Sequence, residues 1–290
     1  MTFEPHQLEA ADLDGLRKHY KDLEILEIVF TVAGNNATNR WTEALGIPQE
    51  KTPGPLLSAL GKSKADLRTF LTPTTPAWRE RPSAVAPLRE RKSGAAGPAM
   101  VAERPRLETR AEVEAALALA ARRTPRLPLV EDSLARALLN DPPKESLPQW
   151  MRLLANFPKA GVVRLASLRA ARDKGALSPR LRAQIDWIAA RHDRAWYALA
   201  DARRRLRALG MDDEAIFALD GEGKTFTAAE RAAFAFVRQL TVEPASITDA
   251  DVARLREHFK DAEVAELVYR ISNAAFFNRL TEAAGLQVEQ

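Results

Sequence analysis

Apolar side chains recur at three- and four-residue spacing through most of the chain, and no run alternates with the two-residue period of a half-buried strand. The pattern predicts an all-α fold. Its strongest segment runs from Pro179 to about Leu209, where Leu181, Ile185, Ile188, His192, Ala195, Leu199, Ala202, Leu206 and Leu209 form one stripe. Ser178 stands as N-cap before Pro179, and Gly210 is placed to end the helix in a left-handed conformation. A single helix of ~30 residues would be ~45 Å long and would form the spine of its domain. Upstream, Leu147–Phe157 and Ala160–Asp173 read as two amphipathic helices separated by Pro158. Downstream, the pattern predicts a short helix near Asp212–Ala218 and one from Ala228 to about Leu240 behind the capping box Thr227…Glu230. A helix capped by Thr248 runs to about Phe259, and a last one runs from about Ala262 to Ala284, stopped by Gly285.

The helical period fails between Thr72 and Arg110, which hold six of the 18 prolines and the segment SGAAGPA. A linker is expected over residues 51–110. Eight bases against four acids in Thr72–Arg110 carry the whole net charge of +4, so the rest of the chain is neutral. Trp78 is the sole aromatic of that stretch, which gives no stacking platform for nucleic acid. No apolar run approaches the ~18 residues of a membrane span, and MTFEPHQLEAADLDG has no secretory pattern. A cytoplasmic protein without membrane contact is expected. The cysteine count is zero, which excludes disulfides, thiolate metal sites and cysteine nucleophiles within the chain. No His or acid cluster has metal spacing, no glycine loop cradles phosphate, and no cofactor is expected.

Residues 11–46 repeat as residues 250–285 at a constant offset of 239, with sixteen identities in thirty-six positions and no gap. Residues 1–50 are therefore read as the C-terminal helices of a first copy, and 111–290 as a complete domain. Ile25, Leu26, Ile28, Val29, Phe30, Val32, Trp41 and Leu45 give the first copy more apolar surface than an exposed helix pair tolerates, so docking on the later domain is expected. Asn39, Arg40 and Glu43 match Asn278, Arg279 and Glu282, and Glu27 matches Glu266. Two roles are open for Glu266, Asn278, Arg279 and Glu282: a buried polar network holding the last helix, or the lining of a ligand pocket. His19 and His258 correspond as well and read as helix-end residues.

The segments RLRAQIDWIAARHDRAWYALADARRRLRALGM and AERAAFAFVRQLTVEPASITDADVARLREHFKDAEVAELVYRISNAAFFNRLTEAAGL resemble the carboxymuconolactone decarboxylase and alkylhydroperoxidase AhpD-like family. The resemblance covers about residues 145–290 as one domain and 1–50 as the end of another. It implies an all-helical homo-oligomer and, in the peroxidase branch, a CxxCxxxH motif on the spine helix. There a thiolate attacks the hydroperoxide, a second cysteine resolves it, and histidine with an upstream glutamate moves protons. In this chain the motif positions are Ala195, Ala198 and Ala202, and the upstream acid falls near Ala183 or Gln184. The expectation is a family protein without thiol peroxidase chemistry, serving as a scaffold or small-molecule binder. Two alternatives stand beside it. One is a thiol-independent acid/base enzyme of the lactone decarboxylase type using His192, Tyr197 and Asp201, although packing and a solvated face are the favoured reading of these residues. The other is an interaction subunit that completes its half-repeat with a partner.

Overall fold

The computed structural model describes residues 1, 4–47, 106–139, 146–221 and 225–289. Among the described residues there are twelve α-helices and no strand. They are α1 (Ala10–Arg17), α2 (Asp22–Ala44), α3 (Arg110–Ala120), α4 (Asp132–Ala137), α5 (Gln149–Leu154) and α6 (Ala160–Asp173). After them come α7 (Pro179–Asp193), α8 (Trp196–Ala208), α9 (Asp213–Phe217), α10 (Ala228–Val242), α11 (Asp249–Arg256) and α12 (Asp261–Ala283). Met1–Ile47 and Leu107–Gln290 form one compact unit. The expected linker lies outside the described residues except at its end. Leu107–Arg110 belong to that unit, where Thr109 caps α3 by accepting from Glu112 N–H at 3.3 Å.

The helix ends follow local chemistry. Ser178 Oγ accepts from Leu181 N–H (3.2 Å) with Pro179 at the first helical position, and Thr227 and Glu230 cap α10 reciprocally. The repeat is visible in these details. α1 and α11, like α2 and α12, begin and end at positions 239 apart. The Lys21 N–H donates to Glu24 (2.7 Å) as the Lys260 N–H does to Glu263 (2.8 Å). Arg17 pairs with Asp22 (2.8 Å) as Arg256 does with Asp261 (2.9 Å).

α12 is the centre of the unit and packs against α2, α7, α8, α10 and α11. From Arg270 to Ala283 each of its residues is buried, the mark of an interior helix with no solvent face. α2 lies along it through buried Ile25, Leu26, Val29, Ala33 and Ala37. Phe30 meets Phe276 edge-on (5.4 Å) and Trp41 meets Tyr269 (5.7 Å), so the two repeat helices run antiparallel. The rest of α2 is a different matter. Ile28 is 37% exposed where its counterpart Leu267 is fully buried, and Asn39 and Glu43 are exposed where Asn278 and Glu282 are buried.

The single ~30-residue spine helix is not formed. Its span is two helices, α7 and α8, joined at Arg194 and Ala195. Arg194 adopts the left-handed conformation (φ 51°, ψ 40°), and the Ala195 N–H reaches back to the Ala190 carbonyl at 2.9 Å. His192 and Trp196, one turn apart on a continuous helix, therefore sit on opposite sides of an elbow.

Candidate functional site

The elbow is fixed by charges. Asp193, fully buried at the end of α7, receives Arg279 Nη1 and Asn278 Nδ2, both at 3.0 Å. Burial pushes its carboxyl up, but Arg279, Arg40 and the Asn278 bond outweigh this and hold it below the usual range. Both arginines of the repeat thus act on one acid. Arg40 also donates to the Thr241 carbonyl (3.2 Å) and the Asn36 carbonyl (3.1 Å). Glu108 pairs with Arg191 (3.1 Å) and with Arg194 itself, which holds the left-handed residue in place.

On the far side of the elbow Glu282 occupies the start of α8. Its Oε1 accepts from the Tyr197 N–H (3.3 Å), and its Oε2 pairs with Arg123 (3.0 Å). Burial raises this carboxyl above its ordinary value despite Arg123 and the backbone donors of Tyr197 and Trp196. The positive end of α8 is therefore filled by a side chain of the protein. The motif positions fall just there. Ala195 and Ala202 are sealed in the core, while Ala198 opens on a cleft.

That cleft lies between α6, α7, α8 and α12 and encloses a cavity of about 40 Å³. Asp201, nearly buried, is part of its wall. Arg172 Nη2 lies 2.8 Å from its Oδ2, Arg204 Nη2 2.6 Å from its Oδ1, and Arg205 Nε 3.3 Å from its Oδ2. Burial pushes Asp201 up, yet the three guanidiniums bring it down to about 2. Arg205 also pairs with Asp186 (2.9 Å). Arg172 stacks between Trp150 and Phe277, its guanidinium carbon 4.9 Å from each ring centre. The α12 wall supplies Arg270, Asn273, Phe277 and Asn278.

The sequence candidates separate cleanly. Asp201 and Asn278 line the cavity; His192 does not. Tyr197 points away from it and donates to Glu289 Oε2 at 2.6 Å, so the C-terminal segment is strapped across α8. Its phenol is pushed far up, first by burial and then by Glu289. Glu266 is structural. It accepts from the N–H groups of Ala176 (2.5 Å) and Leu177 (3.0 Å) and pairs with Arg270 (2.8 Å). Arg279 and Glu282 hold the elbow rather than face the cavity, so of the four repeat-derived pocket candidates Asn278 alone lines it.

Arg172, Asp186, Arg205, Arg270 and Asn273 were not indicated by the sequence pattern, in which they pass for polar positions on amphipathic helices. The one available signal was Asn273, a polar residue inside the apolar heart of α12. Among the described residues no group of His or acid side chains is arranged to hold a metal ion, and no helix is long and apolar enough to cross a membrane.

No family model and no curated protein matches the chain. Among solved structures it is similar to a cysteine-to-alanine variant of the debrominase Bmp8, crystallised in complex with 2,3,4-tribromopyrrole, at a TM-score of 0.45 and 18% identity over 66% of this chain and 93% of that one.

Proposed function

We propose that this chain is a thiol-free member of the carboxymuconolactone decarboxylase and AhpD-like family that binds a small molecule in the cavity beside Ala198. One observation carries the reading. Where the family resemblance puts CxxCxxxH, two alanines are sealed in the core and the third faces a cavity walled by fixed ionic side chains. Thiol–disulfide exchange needs an accessible thiol, and the chain has no cysteine. A homo-oligomer in the cytoplasm, without a bound cofactor, belongs to the same reading.

The acid/base alternative loses support at its own residues. A general acid or base works best with a pKa near the working pH. Asp201 stays ionised down to about pH 2, and Tyr197 is held protonated by burial and by Glu289. Neither exchanges a proton readily near neutrality. His192 lies outside the cavity wall.

The test is turnover of cumene hydroperoxide with a dithiol or lipoyl donor. The purified protein should match the buffer blank; turnover that co-purifies with the chain would refute the thiol-free reading.

A further inference from the structure

One residue of the cavity wall has no use in the network described above. Asn273 is 7% exposed, and its Nδ2 donates to the Tyr269 carbonyl at 2.7 Å. That bond fixes the amide orientation, because a carbonyl cannot receive from the amide oxygen. Its Oδ1 therefore forms part of the cavity wall as a buried acceptor, and it has no hydrogen-bond partner. Arg205 Nε and Asp201 Oδ2, 3.3 Å apart, form an ion pair without hydrogen-bond geometry, so neither atom is fully satisfied by the other. Buried polar groups left in this state are costly, and a ligand or water normally completes them.

The charge count gives the sign of that ligand. Four guanidiniums, of Arg172, Arg204, Arg205 and Arg270, line the cavity or pair with its wall, against the three carboxylates of Asp186, Asp201 and Glu266. Each of these carboxylates already has an arginine, so the surplus is cationic. The size limits the ligand further. A water occupies roughly 10–15 Å³ of such space, so about 40 Å³ takes a group of only a few heavy atoms.

We propose that the cavity receives the acid head of a small α-hydroxy carboxylate, its carboxylate accepting from Arg205 and facing Arg172, its hydroxyl donating to Asn273 Oδ1. The inference rests on reading the cavity as a ligand site and adds the chemical class. A carboxylate answers the surplus guanidinium donors, and planar guanidinium suits it better than a point cation would. A hydroxyl answers Asn273 Oδ1, the neutral acceptor of the wall. Phe277 and Leu168 offer apolar wall for the short carbon chain.

Four probes separate the possibilities by calorimetric titration and thermal shift: glycolate, acetate, ethylene glycol and ethanolamine. Glycolate should bind saturably and about tenfold tighter than acetate, the order expected of one extra hydrogen bond. Ethylene glycol and ethanolamine should not bind. Asn273→Ala should bring glycolate down to the acetate level and leave acetate unchanged. Arg205→Gln should weaken both acids, with helical circular dichroism checked for each variant. Equal affinity for glycolate and acetate, or an Asn273→Ala variant that keeps the difference, overturns the hydroxyl contact. Saturable binding of ethylene glycol or ethanolamine with none of the acids overturns the acid class while leaving a ligand site. No binding of any probe, with water alone completing Asn273, overturns the proposal; the peroxide assay decides the thiol-free reading independently.

Discussion

Asp193 answers to two arginines at once, Arg279 by direct contact and Arg40 through space, and it is wholly removed from water. Breaking such a buried pair from one side leaves an uncompensated guanidinium, which typically costs ~3–5 kcal/mol. Asp193→Asn should lower stability by that order in urea unfolding. Adding Arg279→Met should recover only part of the loss, because Arg40 is still without its acid; full recovery would show that Arg40 does not depend on Asp193. Asp201 makes the matching argument for pH. Its folded value of about 2 lies below the ordinary 3.8, so its contribution is complete above pH ~4 and is lost as pH falls through 3.8 towards 2. At roughly 1.4 kcal/mol per tenfold change in proton affinity this amounts to about 2 kcal/mol. An acid titration of stability should be flatter by that amount over pH 4–2 for Asp201→Asn than for the wild type, and parallel curves would refute the assignment. At this scale the repeat made Asn278, Arg279 and Glu282 legible as important positions. Their partners were not legible, because Asp193, Arg123 and the α8 N-terminus are distant in sequence.

The helices themselves were readable wherever a cap or a glycine punctuates the chain: α6 has the bounds its pattern implies, and α2 and α12 end at Gly46 and Gly285 turns with φ 57° and 60°. The elbow was not. Its left-handed residue is an arginine, the one non-glycine with positive φ among the described residues, and local sequence marks no stop there. Long-range pairing of Glu108, Arg279 and Glu282 breaks the helix, so the stripe continues across the break as if nothing happened. α3 and α4, unforeseen, are held by contacts with the later helices, such as Arg203 of α8 on Glu114 (2.6 Å). The exposed side of α2 departs from its counterpart in α12. At the positions where α12 has Arg270, Ala274 and Phe277, α2 has Thr31, Asn35 and Thr38. Two apolar positions that its counterpart buries have become polar, Ala274 against Asn35 and Phe277 against Thr38, which weakens the case for a partner that completes the copy. Asn35→Ala with Thr38→Phe, beside exposed Ile28, should create an apolar patch and raise the mass seen by light scattering. An unchanged mass would mean that the polar substitutions are incidental.

In the whole molecule, Met1–Ile47 and Leu107–Gln290 are one compact unit although 59 residues of chain separate them. Their union rests on the antiparallel seam of α2 and α12, on the Phe30 contacts with Phe157 and Phe276, and on Arg17 donating to the Arg126 carbonyl at 2.6 Å. Residues 1–47 and 107–290 produced as two polypeptides should therefore assemble one-to-one and co-elute, with a melting temperature above that of the longer piece alone. Failure to associate would place the stabilising contacts elsewhere. The seam has a kinetic side too. A 59-residue connection spans at most ~200 Å when extended, more than enough to let α1 and α2 of one chain settle on the α12 of another. The two arrangements share the same contacts and differ only in which tether closes the loop, so the balance is set by protein concentration against the effective concentration that the tether imposes: dilution favours self-closure, and high protein concentration favours exchanged pairs.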